Sequence, residues 1–389
     1  MTHPPRGLYA GLMSGTSVDA IDTALVRIDQ DIALEHCHSH PLPPALRDAI
    51  AAISHSGADE IERLGVLDRQ LGALFAEATL ALLESANTAP EAVTAIGSHG
   101  QTVRHRPPSG GHSREEAFTL QLADPNTIAE LTGITTVADF RRRDIAAGGE
   151  GAPLAPAFHA QAFSSPGSRR AVVNIGGISN ISLLDGQTLV AGFDSGPGNT
   201  LMDHWIQRHL GEPFDRDGAW AATGKVDHAL LALLLQHPYL ALRGPRSTGK
   251  EAFNLAWLDE VLEASGSQPG AADVQATLAL FTAQTIAAPV LEEHGIDAVF
   301  VCGGGAHNRE LMRVLGTLLA PIAVASTEAL GIAPDWVEAA TFAWLASRTM
   351  AGLHGNAPAV TGASEERILG GVYPGRGPAI SATQAPEVG

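Results

Sequence analysis

The chain has 389 residues, of which 45% are hydrophobic and 17% charged, and this composition is typical of a compact protein large enough for two lobes. Its 24 Lys and Arg residues stand against 42 Asp and Glu residues, giving a formal net charge of −18. Because nucleic acids and anionic membranes both attract clustered positive charge, this balance argues against either as a partner.

The two cysteines and the apolar segments exclude several further classes. Cys37 and Cys302 are far apart and lack metal-ligand spacing, so neither a disulfide framework nor a zinc site is expected. The N-terminus has no signal-peptide core, and no apolar run is expected to span a membrane. We therefore expect a cytoplasmic protein without a membrane partner.

The first informative pattern lies at residues 7–35, which predict a strand, a glycine-containing turn and a second strand. Gly11 and Gly15 permit backbone geometries that other residues resist, and neighbouring hydroxyls stand beside free N–H groups. Such a loop can hold a phosphate. A plain β-hairpin turn is the alternative for this stretch alone.

Two polar segments follow in the first half of the chain. A strand beginning at Val93 is predicted to run into a polar glycine turn at Ser98–Gln101, where His99 faces a ligand or serves as an ordinary structural histidine. Residues 107–117 predict a surface insertion. Three consecutive arginines, Arg141 to Arg143, are flanked by Asp139 and Asp144, and they line either an anionic-substrate site or a solvated patch.

Residues 171–184 repeat the opening pattern of apolar strand, small-residue turn and apolar strand. The next strand ends at Asp194, between glycines and just before a predicted helix at 202–210. A carboxylate at that position is placed to accept a proton from a bound hydroxyl or water. Capping of the helix is the alternative role for Asp194.

The segment at 244–250 matches the letters of a phosphate-binding P-loop, G-x4-G-K. However, Glu251 follows where Mg²⁺ ligation needs Ser or Thr, and a helix precedes the segment where a strand is required. We therefore reject a P-loop site, although Ser247, Thr248 and Lys250 remain able to reach a ligand of a different site.

A strand, three glycines and a helix are predicted over residues 297–311. The bare backbone of Gly303–Gly305 lets a flat group lie against it, and Asn308 in the first helical turn is placed to bond that group. Cys302 is expected to be a small core residue. Glu338 is predicted near a later helix N-terminus, where the helix dipole favours a carboxylate.

Two glycine hairpins, a strand-end Asp and a strand–triple-glycine–helix unit, in this order, are typical of a duplicated actin-like kinase core. The sequence resembles the anhydro-N-acetylmuramic acid kinase family over about residues 7–375. The resemblance is carried by seven motifs, at residues 13–19, 97–102, 139–144, 174–180, 193–199, 302–308 and 333–339.

The resemblance implies an α/β, two-lobed actin-like or hexokinase-like ATPase fold with a central cleft. The expected parts are an N-terminal lobe at 1–130, a C-terminal lobe at 131–375 and a flexible tail at 376–389. The implied reaction uses ATP and Mg²⁺ to open 1,6-anhydro-N-acetylmuramic acid with water and phosphorylate O6, in cell-wall sugar recycling. The sugar and ATP are the implied partners, and a homodimer is left open.

The resemblance also assigns roles to residues. Asp194 is the implied base that activates water, and Glu338 the implied sugar-binding acid. The predicted nucleotide contacts are Gly15, Thr16, Ser17, Val18, Asp19, Ala20, Ile21, Asp22, Asn174, Gly176, Gly177, Gly303, Gly304, Gly305 and Asn308. The predicted substrate contacts are Ser98, His99, Gly100, Gln101, Arg141 and Asp144.

Two departures from the family and superfamily patterns and two alternatives remain at this stage. The insertion at about 107–117, which is expected to reshape the nearby surface, is one departure, and the first loop contains the other. Kinases of the superfamily usually carry an Asp in the first loop, whereas this chain has Leu12 and Met13, so no metal ligand is assigned. A related sugar or acid kinase that transfers phosphate directly to a hydroxyl is one alternative. A non-catalytic nucleotide-gated binding protein on the same fold is the other.

Overall fold

The computed structural model describes residues 6–15, 18–244, 246–249 and 251–376. Thr16, Ser17 and Lys250 of the predictions above, and residues 377–389 of the predicted tail, lie outside the described residues. The strands are β1 Gly7–Ser14, β2 Ala20–Ile28, β3 Ile32–Pro41, β4 Val93–Arg106, β5 Phe118–Leu122, β6 Thr136–Ala138, β7 Arg169–Ile175, β8 Ile178–Asp185, β9 Thr188–Pro197, β10 Ala298–Cys302, β11 Ala323–Ser326 and β12 Gly371–Tyr373. The α-helices are α1 Pro44–Ile53, α2 Glu60–Ser85, α3 Pro125–Thr132, α4 Phe140–Ala146, α5 Ala155–Phe163, α6 Thr200–Leu210, α7 His228–Leu234, α8 Leu255–Ser265, α9 Ala271–Glu292, α10 Arg309–Leu319, α11 Val337–Met350 and α12 Pro358–Thr361.

The strands form two sheets with the same internal topology. The first sheet has the order β3-β2-β1-β4-β6-β12, with β5 paired to β4, and the second has the order β9-β8-β7-β10-β11. In both sheets the first two strand pairs are antiparallel and the next two parallel. This repeated order confirms the predicted duplicated α/β architecture, with one glycine hairpin in each half.

Three groups of buried apolar side chains hold the two sheets. One packs the first sheet against α1, α2 and α3, and a second packs the other sheet against α6 to α10. The third group joins Tyr9 of the first sheet to Val172 of the second, together with residues of α5 and α11. The two sheets are therefore linked through α5 and α11.

Two glycines in the first sheet allow α11 to lie directly on it. A Cβ at Gly11 would lie 1.9 Å from the Ala339 carbonyl oxygen, and one at Gly97 would lie 1.9 Å from the Phe342 carbonyl oxygen. Gly11 therefore serves this close approach from inside β1, and the prediction that it shapes the phosphate-binding turn is wrong.

The sheets do not follow the predicted boundary between residues 130 and 131. Thr136–Ala138 pairs with β4, and Gly371–Tyr373 pairs with β6, so both segments belong to the first sheet. The N–H of Arg376 donates to the Gly133 carbonyl over 3.1 Å. The chain thus returns to its first sheet after completing the second, and the division into lobes at 1–130 and 131–375 does not match sheet membership.

Ser98–Gln101 does not form the predicted turn, because β4 continues through it from Val93 to Arg106. The parallel pairing with β1 shifts register at this point, between Leu12 and Ser14. Gly100 has a φ of +73° there. The glycine therefore marks a β-bulge inside a long strand rather than the end of a strand.

The apolar helix Ala271–Glu292 corrects the expectation that no apolar run reaches membrane-spanning length. This helix is long and apolar enough to cross a membrane, and within the described chain it is alone in this. However, 72% of its most apolar 18-residue window is buried inside the protein. Its side chains pack on the second sheet, so its apolarity is explained by the core.

Candidate active site

Four residues form a row across the second sheet and end at Asp194. Cys302 pairs with Asn174, Asn174 with Asn180, and Asn180 with Asp194, on four successive strands. Val172 belongs to the apolar group shared with α11, and side chains alternate along a strand, so Asn174 points to the same side of the sheet. The row therefore lies on the sheet face that carries Val172 and Cys302 of that apolar group.

Asp194 is 7% exposed, and a short loop that follows far along the chain contacts its carboxylate. Its Oδ2 accepts the main-chain N–H of Thr248 over 2.9 Å and the hydroxyl of Ser247 over 3.1 Å. Burial raises the pKa of Asp194 to about 6, against the lowering effect of these bonds and of Arg246. The N-cap of α6 is Asn199, so the helix-capping alternative for Asp194 is wrong.

Residues 246–248, from the segment with the P-loop-like sequence, lie against the end of β9. Arg246 accepts the N–H of Asp194 at its carbonyl over 3.0 Å and donates its Nε to the Asp194 carbonyl over 3.1 Å. The Tyr239 hydroxyl donates to the same carbonyl over 2.7 Å. The Arg246 guanidinium lies 4.4 Å from the centre of the Phe193 ring. Sequence reasoning recognised this segment but missed its contact with Asp194.

The second glycine hairpin, at Gly176 and Gly177, is held by the start of α6. The Gly176 carbonyl accepts the N–H of Asn199 over 2.8 Å, and the Gly177 carbonyl accepts the Thr200 hydroxyl over 2.8 Å. Both carbonyls thus bond inside the protein, and a helix N-terminus with its partial positive charge lies beside the hairpin. Asn199 is absent from the predicted contacts, although it belongs to the motif that carries Asp194.

The triple-glycine turn after β10 combines packing with an open backbone surface. Gly303 has a φ of +76°, and a Cβ on Gly305 would lie 2.3 Å from a side-chain atom of Ile175. At Gly304, by contrast, the nearest atom to a Cβ would be Asn199 Nδ2 at 3.7 Å. Asn308 caps α10, with its Oδ1 accepting the Leu311 N–H over 2.9 Å. Gly304 therefore offers the bare backbone that a flat group requires.

The first predicted phosphate loop is shorter than Gly15–Asp22. Ala20, Ile21 and Asp22 belong to β2, the Ile21 side chain is fully buried, and Asp22 accepts the Ser39 hydroxyl over 2.8 Å. Gln101 Oε1 accepts the Ser14 hydroxyl over 2.7 Å. Gln101 thus bonds Ser14, the last residue of β1, which directly precedes the first loop.

A second cluster of titratable residues lies around Glu338, in the first turn of α11. Burial raises the pKa of Glu338, the positive charge of Arg141 lowers it, and the nearby Asp22 raises it further. Burial lowers the pKa of Arg141 to about 10. His99 accepts a hydrogen bond from Arg141. The burial of His99 and the positive charge of Arg141 hold the pKa of His99 well below its usual value. The structure therefore brings three predicted site residues together.

Two other predicted substrate contacts occupy different environments. Ser98 is 1% exposed, and within the described chain its hydroxyl has no hydrogen-bond partner. Asp144 is fully buried, and its carboxylate accepts hydrogen bonds of 2.8 Å from Gly151 N, Asn356 Nδ2 and the Thr361 hydroxyl. These three bonds give Asp144 a structural role in joining α4 to α12, and they leave it no exposed surface for a substrate.

Comparison with known proteins identifies the family to which this geometry belongs. A family model described as anhydro-N-acetylmuramic acid kinase matches residues 7–375. The chain belongs to this family. Membership makes it a kinase and implies ATP and a sugar as its small-molecule substrates.

Two relatives agree with this assignment. The anhydro-N-acetylmuramic acid kinase of Shewanella halifaxensis (strain HAW-EB4) is 53% identical over 368 residues, which cover 94% of this chain and 98% of that protein. The protein of the same name from Shewanella loihica (strain ATCC BAA-1088 / PV-4) is 51% identical over 369 residues, with the same coverage. Among solved structures, component A of the (R)-2-hydroxyglutaryl-CoA dehydratase of Acidaminococcus fermentans aligns over 89% of this chain and 99% of its own, at 10% identity and a TM-score of 0.45.

Two carboxylates, those of Asp22 and Glu338, are of the kind that binds a magnesium ion held mainly by a nucleotide. Across the part of the chain that the structure describes, no group of three or more His, Cys, Asp or Glu side chains forms a metal cage. Mg²⁺ in phosphoryl-transfer sites is usually held by one or two carboxylates, phosphate oxygens and water. Asp22 and Glu338, which interact through their charges, offer carboxylates of this kind.

Proposed function

We propose that this kinase opens 1,6-anhydro-N-acetylmuramic acid with water and transfers the γ-phosphoryl group of ATP to O6. The products are N-acetylmuramic acid 6-phosphate and ADP, and the reaction belongs to cell-wall sugar recycling. The observation that carries the proposal is the environment of Asp194. This carboxylate is buried at a strand end and has a pKa near 6, so it is ionised and basic near neutral pH.

Asp194 takes a proton from water, whose oxygen bonds to C1 of the sugar as the C1–O6 bond breaks. The electron pair released onto O6 is captured by the γ-phosphoryl group, and ADP leaves. Phosphoryl transfer needs chiefly positioning and charge neutralisation, which the two glycine hairpins and Mg²⁺ supply.

The remaining site residues are proposed to bind rather than react. Glu338 accepts sugar hydroxyl groups near the reaction centre, and the positive charge of Arg141 lowers the pKa of that carboxylate against the effect of burial. Gly304 and the amide row at Asn174 and Asn180 lie where the nucleotide would contact the second sheet. Asp22 would hold Mg²⁺, with the phosphates and water as its other ligands, and the bound ion would neutralise phosphate charge.

The test is a substitution that removes the basic oxygen without changing shape. Asp194→Asn is expected to lower turnover by more than roughly 100-fold while ATP still binds, because general-base catalysis contributes about that factor. Asp185→Asn, at the exposed end of β8, is the matched control and should keep normal turnover. Near-normal turnover of Asp194→Asn would refute Asp194 as the base.

A further inference from the structure

Residues of the loop at 246–249 donate two hydrogen bonds to one oxygen of the Asp194 carboxylate. Both donors, the Ser247 hydroxyl and the Thr248 N–H, reach Oδ2. In the described part of the chain no group donates a hydrogen bond to Oδ1. The protein therefore makes the two carboxylate oxygens different from each other. In a carboxylate that rotated freely, the two oxygens would be equivalent.

We propose that Ser247 is a positioning residue for the reaction, holding Oδ2 so that Oδ1 is the oxygen that takes the proton from water. This inference rests on the proposed function, in which Asp194 is the base. Two donors on one oxygen fix the rotation of the carboxylate about its Cβ–Cγ bond. A base aimed in advance spends no free energy on orientation when the water reacts.

The loop is anchored independently of this contact, which makes the role of Ser247 separable. The Arg246 carbonyl accepts the Asp194 N–H, and the Arg246 Nε donates to the Asp194 carbonyl. The guanidinium also donates to the Leu242 carbonyl over 2.8 Å. The guanidinium packs on the Phe193 ring as well. Removing the Ser247 hydroxyl should therefore leave the loop in place and change only the carboxylate.

The same hydrogen bonds set the acidity of the base. Burial alone destabilises the charged carboxylate and raises its pKa, whereas hydrogen bonds to the charged form lower the pKa. A hydrogen bond to a charged group changes an equilibrium by roughly tenfold or more. Loss of the Ser247 donor should thus raise the pKa of Asp194 by about one pH unit.

The test compares the pH dependence of kcat/KM for ADP release, with ATP and the anhydro-sugar, in the full chain and three variants. Ser247→Ala should move the acidic limb of the pH profile upward by about one pH unit. Ser247→Thr, which restores a hydroxyl, should bring the limb back to the wild-type pH. Ser56→Ala, which removes the hydroxyl of an exposed serine outside the site, is the control and should leave the limb unchanged. Thermal melting of each variant checks that the fold is intact.

Each outcome bears on the proposal. If the acidic limb of Ser247→Ala stays at the wild-type pH, the positioning role of Ser247 is overturned, whether or not the overall rate falls. A merely structural role would lower activity without moving the limb. A Ser247→Thr variant that stays shifted would also overturn it. Full turnover of Asp194→Asn would instead refute the proposed function, so the two failures are distinguishable.

Discussion

Arg141 donates its Nε to His99 Nε2 over 2.8 Å, and this contact fixes the protonation of the histidine. Because a guanidinium can only donate, Nε2 must accept and the ring proton must lie on Nδ1, which donates to the Gly100 carbonyl over 2.8 Å. Arg141 also donates to the Gly151 carbonyl over 2.9 Å. A neutral His99 thus helps to hold the guanidinium beside Glu338.

Replacing this arginine should weaken sugar binding specifically. In Arg141→Ala, burial and the nearby Asp22 would favour the protonated form of Glu338, and a charged hydrogen bond to the sugar would be lost. We expect the KM for the sugar to rise by about tenfold or more, with ATP affinity unchanged. Arg143→Ala, an exposed arginine on the same helix, is the control. An unchanged sugar KM would contradict the role given to Arg141.

The pH dependence of the wild-type kinase should report Asp194. Burial raises its pKa from the usual 3.8 to about 6, so the carboxyl group is protonated and cannot act as a base below that pH. We expect kcat/KM to fall about tenfold per pH unit below about pH 6 and to level off above it. Initial rates between about pH 4.5 and pH 8 would show this, and an acidic limb near pH 4 would count against a buried base.

Close packing of α11 on the first sheet should make Gly97 irreplaceable. In Gly97→Ala the new Cβ would lie 1.9 Å from the Phe342 carbonyl oxygen, and backbone cannot yield as a side chain can. We expect the free energy of unfolding to fall by about 3 kcal/mol or more in chemical denaturation.

A second glycine provides the comparison. Gly65 lies in α2 with no atom within 4 Å of a Cβ, so Gly65→Ala should raise the free energy of unfolding by up to about 1 kcal/mol through helix propensity. Equal effects of the two substitutions would contradict the close contact between α11 and β4.

Local sequence was sufficient to predict the features that local chemistry specifies. The glycine hairpins, a strand that carries Asp194 close to its end and the first-turn position of Glu338 all follow from apolar runs interrupted by small or polar residues, although β9 continues past Asp194 to Pro197. The sequence predicts a turn at Ser98–Gln101, and the structure has a bulge there instead, because a glycine needed for a bulge, such as Gly100, has the same sequence signal as one needed for a turn.

Tertiary contacts account for what the sequence did not reveal. Ser247 lies 53 residues from Asp194, and its neighbours resemble a phosphate loop, so nothing local indicates that it binds a carboxylate. Asp144 and Arg141 belong to one predicted motif and both bond the main chain of Gly151, but Asp144 is also bonded by the distant residues Asn356 and Thr361. The return of α11 and β12 to the first sheet likewise depends on packing between distant segments.

Hydrolytic ring opening is tested most directly by reaction with ATP and 1,6-anhydro-N-acetylmuramic acid in ¹⁸O-labelled water, with mass spectrometry of the sugar phosphate. Unlabelled N-acetylmuramic acid 6-phosphate kept in the same water for the same time corrects for exchange at C1. Water activated by Asp194 should place one ¹⁸O atom on C1 for each ADP formed. A product without label beyond that control, or one that keeps its anhydro bridge, would contradict the proposed reaction.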